Sequence, residues 1–276
     1  MLFRSVADGT RIPLGDRWRY ATVPGGVSSP PVAPWYAIGG KTVLYNAMIA
    51  PLGSTAIAGV AWYQGESNTG NASEYEALLG AMKSGWRRQF GARTPFLIVQ
   101  LPNFGAASLR PVTSGWATLR EAQRRSTQSD QRSAIVVTID VGDPADLHPT
   151  NKQDIGLRLG RAARSLVYHE KITPSGPRVS SVTRGVGHIA IKFRDLTGAL
   201  TVRSGATPTA FELCESTDAS CRLADAKLIG AKVLLTGPDT LKATRVRYCW
   251  GDAPVCDLYD DANLPIGPFE SLIARW

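Results

Sequence analysis

Residues 56–101 read AIAGVAWYQGESNTGNASEYEALLGAMKSGWRRQFGARTPFLIVQL, and this stretch decides the fold. It opens with an apolar run at residues 56–63 and closes with another at residues 95–101, and both runs predict strands. Between them, Ser73 and Glu76 fit the Ser-x-x-Glu pattern of a helix capping box, and apolar residues follow at helical spacing. The stretch therefore predicts one β-α-β unit. The predicted apolar stripe of the helix consists of Tyr75, Leu78, Leu79, Met82, Trp86 and Phe90.

The same alternation continues along the chain. A helix is predicted at residues 114–129, a strand at residues 134–139 (AIVVTI) and a further helix at residues 151–168. Strands that alternate with helices indicate a parallel sheet with helices on both faces. Beyond residue 174 the pattern changes to short segments of alternating polarity, such as residues 188–193 (HIAIKF), which predict an all-β region.

Three domains are predicted from these patterns. Residues 1–40 contain a dense run of turn-forming residues and predict an irregular N-terminal segment. Residues 41–174 predict an α/β domain, and residues 175–276 predict a small all-β domain.

The composition is that of a folded globular protein. Of the 276 residues, 43% are hydrophobic and 20% are charged, which excludes the disordered and fibrous classes. The formal charge of +8 comes from scattered basic residues, and the one local cluster, Arg120 with Arg124 and Arg125, is interpreted as the solvated face of a helix. We therefore predict no nucleic-acid partner. No apolar run is long enough for a membrane helix or a signal peptide, so no membrane partner is predicted either.

The four cysteines lie in the last quarter of the chain. Cys214 and Cys221 are seven positions apart, and so are Cys249 and Cys256. This spacing predicts two local disulfides, with free buried thiols as the alternative. A zinc site is disfavoured because the region lacks Cys-x-x-Cys pairs with nearby histidines. Disulfides imply an oxidising compartment, so we predict an extracytoplasmic protein, periplasmic or secreted.

His148 is the strongest candidate for a general base among the three histidines. It lies in residues 141–151 (VGDPADLHPTN), directly after a predicted parallel strand, where open α/β sheets bind their ligands. Asp143 and Asp146 are close in sequence, and a carboxylate beside the second ring nitrogen fixes the tautomer of a catalytic base. An Asp-Pro turn that caps the next helix explains the same residues equally well, so both interpretations stay open here.

A second polar stretch, residues 62–68 (WYQGESN), also follows a predicted strand. The side chain of Gln64 has N–H groups that can donate to a developing oxyanion, and Gly65 lets the backbone approach closely. The alternative is a polar turn before a helix, since Gly, Ser and Asn are common turn residues. The Trp-Tyr pair and the Gln-Gly-Glu run exceed what a turn needs, which favours a functional role.

Several motifs, in order and spacing, resemble those of the sialate O-acetylesterase family of carbohydrate esterases. The resemblance begins at about residue 35 and continues to the C-terminus. Its motifs are YNAMIAP (45–51), GVAWYQGESN (59–68), VQLPNF (99–104), LREAQ (119–123), DVGDP (140–144), DLHPTNKQ (146–153) and VRYCWGD (246–252).

The resemblance implies an SGNH-type hydrolase with a flavodoxin-like α/β sheet, which removes acetyl groups from sugar hydroxyls through a serine, a histidine and an aspartate. It implies an acetylated carbohydrate as substrate and neither a metal nor an organic cofactor. His148 corresponds to the general base, oriented by Asp146 or Asp143. The common SGNH aspartate lies three residues before the histidine, where this chain has Ala145. The oxyanion side and the pocket correspond to Gln64, Gly65, Glu66 and Asn46.

The family's nucleophile lies in a Gly-Gln-Ser-Asn-type motif that does not occur in this chain. Ser67 is not the nucleophile position of the family. We therefore expect the sheet to lack its first strands, and a missing N-terminal segment or a second chain to supply the serine, as in a truncated esterase. Two alternatives stay open: a non-catalytic glycan-binding protein that uses Trp62, Tyr63 and Glu66, and a glycoside hydrolase that uses Glu66 with Asp143.

Overall fold

A computed structural model of the chain describes residues 40 and 42–274, together with the backbone of two short strands nearer the N-terminus. The chain divides into two compact units, residues 1–52 and residues 53–276.

The first unit contains two three-residue strands, β1 (Phe3–Ser5) and β2 (Arg11–Pro13), which pair antiparallel. Further along, a π-helical turn at Tyr45–Ile49 continues into a 3-10 turn at Ala50–Leu52. The segment 1–40 is therefore not irregular throughout, although most of it lies outside the described residues. The predicted domain boundaries stay predictions.

The second unit begins with a parallel sheet of three strands in the order β3 (Val60–Tyr63), β4 (Phe96–Val99) and β5 (Ser133–Val136). The register aligns Val60 with Phe96 and Phe96 with Ser133. All four residues of β4 are buried, as expected for the central strand of a sheet that is covered on both faces.

Three helices cover this sheet: α1 (Ala72–Phe90), α2 (Gly115–Gln128) and α3 (Lys152–Leu166). Apolar residues of α1 and α2 pack with Phe96 and Ile98 on one face, while α3 packs with the alternate β4 residues on the other. The predicted fold class, a mixed α/β protein with a parallel sheet, is confirmed.

Two of the three helices begin where the sequence predicts. Ser114 caps α2 by accepting a hydrogen bond from the Ala117 N–H, and Asn151 caps α3 through the Asp154 N–H. The predicted capping box at Ser73 is wrong. A 3-10 turn at Glu66–Asn71 runs directly into α1, so the helix begins at Ala72, before Ser73.

Two predictions about helix faces are also wrong. Leu78 is 52% exposed, because it lies one position off the row in which Tyr75, Leu79 and Lys83 are buried. The three-arginine cluster on α2 is not a solvated face: Arg120 is fully buried, and only Arg125 is mostly exposed. The reason is that α2 packs against both the parallel sheet and the C-terminal strands.

The chain from Arg178 onward forms an antiparallel β region. Its strands are β6 (Arg178–Gly185), β7 (His188–Arg194), β8 (Leu200–Val202), β9 (Phe211–Cys214), β10 (Arg222–Leu223), β11 (Asp225–Ile229), β12 (Lys232–Thr236), β13 (Arg245–Tyr248), β14 (Leu258–Asp260) and β15 (Phe269–Leu272). Two four-stranded sheets, in the orders β11-β12-β7-β6 and β10-β9-β13-β15, share one apolar core, and β14 pairs with β8 in a two-stranded sheet.

Both predicted disulfides are present. Cys214 at the end of β9 is bonded to Cys221, just before β10, and Cys249 after β13 is bonded to Cys256, just before β14. Each bond closes a short loop between strands of the β region. Among the described residues, no helix is both long and apolar enough to cross a membrane.

Candidate functional site

The Gln64–Gly65 turn lies at the carboxyl end of β3, and two helices hold its main chain. The Gln64 carbonyl oxygen accepts a hydrogen bond of 2.8 Å from the Tyr75 hydroxyl of α1 and another of 3.1 Å from the Gln123 side-chain amide of α2. Gln123 is fully buried, and its own Oε1 accepts from the Leu101 N–H at the end of β4. The turn is therefore fixed relative to the sheet.

The side chain of Gln64 is oriented by two partners. Its Nε2 donates to Asn68 Oδ1 at 2.8 Å, and its Oε1, 3.0 Å from the Tyr75 hydroxyl, shares the single proton of that hydroxyl with the Gln64 carbonyl oxygen. Burial raises the pKa of Tyr75, and the Glu66 carboxylate adds to the increase, so this hydroxyl remains a donor at neutral pH. An amide nitrogen has two N–H groups, so one donor of Gln64 remains beyond its bond to Asn68.

Gly65 is buried and has no room for a side chain. Its φ is +156°, and a Cβ atom would lie 2.7 Å from Leu119 Cδ2. Its N–H donates to the Glu66 carboxylate at 2.9 Å. This N–H is therefore occupied, and another anion can use it only by displacing the Glu66 carboxylate.

The Gly65→Ala substitution is expected to destabilise the protein by about 2 kcal/mol, because α2 or the turn must shift to admit the methyl group. Gly70→Ala is the matched control, since a Cβ at residue 70 meets nothing within 4 Å. We expect the control to change the free energy of unfolding by less than about 0.5 kcal/mol. Urea unfolding followed by circular dichroism measures both. Equal stabilities of the two variants would contradict the packing described for Gly65.

His148 lies in an exposed loop between β5 and α3, at the same carboxyl edge of the sheet as Gln64. Asp146 Oδ1 accepts a hydrogen bond of 2.8 Å from the His148 main-chain N–H, and Asp143 Oδ1 accepts one from the Ala145 N–H. Within residues 42–274, neither carboxylate is hydrogen-bonded to the His148 ring. The two aspartates therefore shape the loop, and the ring faces solvent.

The His148 loop is attached to the loop that follows β4. The Gly142 N–H donates to Asn103 Oδ1, and the Gly105 N–H donates to the Pro144 carbonyl, both at 2.9 Å. Gly142 leaves no space for a Cβ atom, because the Asn103 carbonyl oxygen occupies its position. The loops that follow β4 and β5 are thus connected by hydrogen bonds.

Arg120 supports these loops from inside the protein. Its guanidinium donates to four main-chain carbonyls at 2.6–2.9 Å: those of Leu101 and Pro102 after β4, and those of Gly251 and Asp252 in the β region. Burial lowers the pKa of Arg120 to about 9, with the Asp252 carboxylate opposing the change, so the group stays charged at neutral pH. The sequence patterns missed this residue, although LREAQ (119–123) belongs to the motifs quoted for the family.

Two further candidates from the sequence are Asn46 and Ser67. Asn46 is exposed in the first unit and donates to Thr42 Oγ1, so its place at the pocket stays a prediction. Ser67 is exposed, and in the described part of the chain no histidine is hydrogen-bonded to it.

Among the described residues, one group has the geometry of metal ligands, Glu212 with Cys214 and Cys221, but its two sulfurs form a disulfide.

Comparisons with known proteins agree with the motifs. The family model for carbohydrate esterases described as sialic acid-specific acetylesterases matches residues 21–165, more than half of the chain. Human sialate O-acetylesterase is 28% identical in an alignment over 260 residues that covers 84% of this chain and 49% of the human protein. The rat sialate O-acetylesterase is 32% identical in an alignment over 155 residues that covers 49% of this chain and 28% of the rat protein.

A solved structure gives the same result. A carbohydrate acetylesterase from Xanthomonas citri superposes with a TM-score of 0.76 and 34% identity, over 85% of this chain and 54% of that chain. This chain thus spans about half the length of the relatives it matches. The match to the family model, the motifs and the shared fold together show that this chain belongs to the sialic acid-specific acetylesterase family of carbohydrate esterases.

Proposed function

We propose that this chain provides the base and the oxyanion side of a carbohydrate O-acetylesterase, which removes acetyl groups from sugar hydroxyls. The observation that carries the proposal is that the Gln64–Gly65 turn and the His148 loop lie at the same edge of the parallel sheet in a member of this family. The two disulfides fit an extracellular or lumenal compartment, and we propose a periplasmic or secreted protein.

In the proposed reaction, a serine hydroxyl attacks the acetyl carbonyl carbon while His148 takes the hydroxyl proton. The carbonyl oxygen becomes an oxyanion, which accepts a hydrogen bond from the side-chain N–H of Gln64. The C–O bond to the sugar then breaks, and His148 returns the proton to the leaving sugar oxygen. Water hydrolyses the acetyl-serine by the same steps in which His148 again acts as the base.

We assign the orienting role to Asp146, with Asp143 as the second candidate. Asp146 is already hydrogen-bonded to the His148 main chain and is two residues from it. A rotation of the exposed His148 ring toward this carboxylate fixes its tautomer without a change in the loop. Glu66 is proposed as a pocket residue, which releases the Gly65 N–H when the oxyanion forms.

The serine is proposed to come from another segment or from a second chain. The 276 residues contain neither a Gly-Gln-Ser-Asn nor a Gly-x-Ser-x-Gly motif. Within residues 53–274, β3 is an edge strand that pairs only with β4. Such an edge has free N–H and C=O groups that can pair with an added strand. A strand added there would end close to Gln64, where the serine is needed.

A fusion tests the proposal. This chain is joined to the part of the Xanthomonas citri acetylesterase that it does not match, and the hydrolysis of p-nitrophenyl acetate is measured. We expect the fusion to be active and the chain alone to stay at the buffer rate. His148→Ala in the fusion is expected to lower the rate by about 10²–10⁴-fold, because the general base is lost. Ser67→Ala is the control and is expected to leave the rate unchanged.

Two other results would replace the proposal. If the chain alone hydrolyses the ester and Ser67→Ala abolishes this, the nucleophile lies within the chain. If the fusion folds but stays inert while calorimetry detects the binding of an acetylated sugar, the protein is a non-catalytic glycan-binding member of its family.

A further inference from the structure

A second concave surface lies beside α3, and neither Gln64 nor Gly65 lines it. It is a groove of about 640 Å³ between one face of α3 and the chain around β14. We call it the α3 groove. Asn151, Asp154 and Arg161 of the α3 side line it, and Arg203, Tyr259 and Asn263 line the opposite side.

The lining of the α3 groove has an excess of positive charge, since it contains four arginines and two aspartates. Arg158 is neutralised by a two-bond ion pair with Asp140, at 2.5 and 2.7 Å. Arg164 is paired with Glu170 at 2.6 Å, just outside the groove. These two arginines therefore already have anionic partners.

Arg161 and Arg203 have no carboxylate partner among residues 40–274. The guanidinium of Arg161 donates to the Thr173 carbonyl and to hydroxyls of Thr173 and Thr197, all of which are neutral acceptors. The guanidinium of Arg203 stacks over the ring of Tyr259, with its carbon 3.6 Å from the ring centroid. Stacking holds the group in place and leaves its N–H edge free to bind an anion.

We propose that the α3 groove binds a carboxylate-bearing oligosaccharide, whose carboxylates bond to Arg161 and Arg203. Arginine matches a carboxylate with two parallel N–H···O bonds. Asn151 and Asp154 are bonded to each other at the start of α3, and the second carboxylate oxygen of Asp154 and the amide of Asn263 supply partners for sugar hydroxyls.

The α3 groove starts close to the candidate catalytic loop, because Asn151 follows His148 by three residues. An acidic glycan held in the groove would therefore be anchored beside His148. This role as a substrate anchor rests on the proposed function, whereas binding itself requires neither the serine nor the His148 ring.

Binding of hexagalacturonate, which has no acetyl groups, tests the inference by titration calorimetry at low ionic strength with the full chain. We expect Arg161→Gln and Arg203→Gln each to weaken binding about tenfold, through the loss of one charge-assisted contact. Arg88→Gln is the matched control, since it removes an equal charge from an exposed position on α1. Maltohexaose, a neutral hexasaccharide, is expected not to bind.

Three results would overturn the inference: no binding of hexagalacturonate, equal binding of maltohexaose, or equal weakening by Arg88→Gln. A fourth would be that tripolyphosphate binds as tightly with the same dependence on Arg161 and Arg203, which would make the groove a general anion site. Because the probe carries no ester, its binding can be measured and interpreted even if the esterase proposal is wrong.

Discussion

Arg120→Met is expected to lower the free energy of unfolding by about 4 kcal/mol and the melting temperature by roughly 10 °C. Methionine has a similar length, so the change leaves no large cavity. It removes the donor for three buried carbonyl oxygens, those of Leu101, Pro102 and Gly251, and for the partly buried carbonyl of Asp252. The carbonyls of Leu101, Pro102 and Gly251 then stay buried without this hydrogen bond, whereas that of Asp252 keeps its bond from the Phe104 N–H. The cost of three such losses is large compared with the usual effect of a point mutation.

Arg125→Met is the matched control, because it lies on the same helix with a side chain that is 58% exposed and paired with Glu76 at 3.1 Å. An exposed ion pair contributes little, so we expect a change below about 1 kcal/mol. Urea unfolding of both variants followed by circular dichroism gives the comparison. If the Arg120 and Arg125 variants are equally stable, the guanidinium of Arg120 does not support the loops as described.

Glu212→Gln is expected to raise the stability of the variant relative to that of the unchanged chain, and to raise it more at alkaline pH than at acid pH. Glu212 on β9 is 3% exposed, and its Oε2 has no hydrogen-bond partner among the described residues. Burial raises the pKa of Glu212 to about 7, opposed by Arg247 and assisted by Asp218 and Glu270. Arg247 is opposite Glu212 on β13 but bonds to Asp218 and Glu270 instead, each at 2.6 Å.

The direction of this pH dependence follows from the raised pKa of Glu212. The folded state binds the Glu212 proton more tightly than the unfolded state does, so the free energy of unfolding falls as the pH rises from about 4.5 to about 7 and stays low above that range. Glutamine has no proton to lose. The stability of the variant relative to the unchanged chain should therefore increase by about 3 kcal/mol between pH 4.5 and pH 8.5.

Unfolding in urea at several pH values measures this difference. Glu215→Gln is the control, since Glu215 is exposed in the same segment, and its stability curve should run parallel to that of the unchanged chain. A Glu212→Gln curve that also runs parallel would mean that Glu212 ionises as easily in the folded protein as in the unfolded one.

The sequence predicted those parts of the fold that depend on local periodicity. The α2 helix was expected at residues 114–129 and is found at Gly115–Gln128, and the strand Arg245–Tyr248 lies within the predicted β region. His148 was expected in a loop at the carboxyl edge of the sheet and lies there. These features follow from patterns of apolar, polar and turn-forming residues within about ten positions.

The sequence did not predict features that depend on distant main-chain atoms. Arg120 resembles its exposed neighbour Arg125 in sequence, and only the carbonyls of residues 251 and 252, about 130 positions away, make it a buried residue. The orientation of the His148 ring is equally hidden, because Asp143 and Asp146 both bond to main-chain N–H groups. Side-chain patterns carry no information on which backbone groups need partners.

The contacts of helix α2 limit which parts of this protein can be exchanged with those of a relative. Three residues of this segment bond to the β region: Ser114 to the Asp252 side chain, Arg120 to the carbonyls of Gly251 and Asp252, and Glu121 to the Glu270 N–H. Gln123 bonds to the Gln64 turn. A chimera that joins the first 174 residues to the β region of a relative would leave these groups buried without partners unless the donor has equivalents. The two parts of the chain are therefore expected to be inherited together, not exchanged as independent modules.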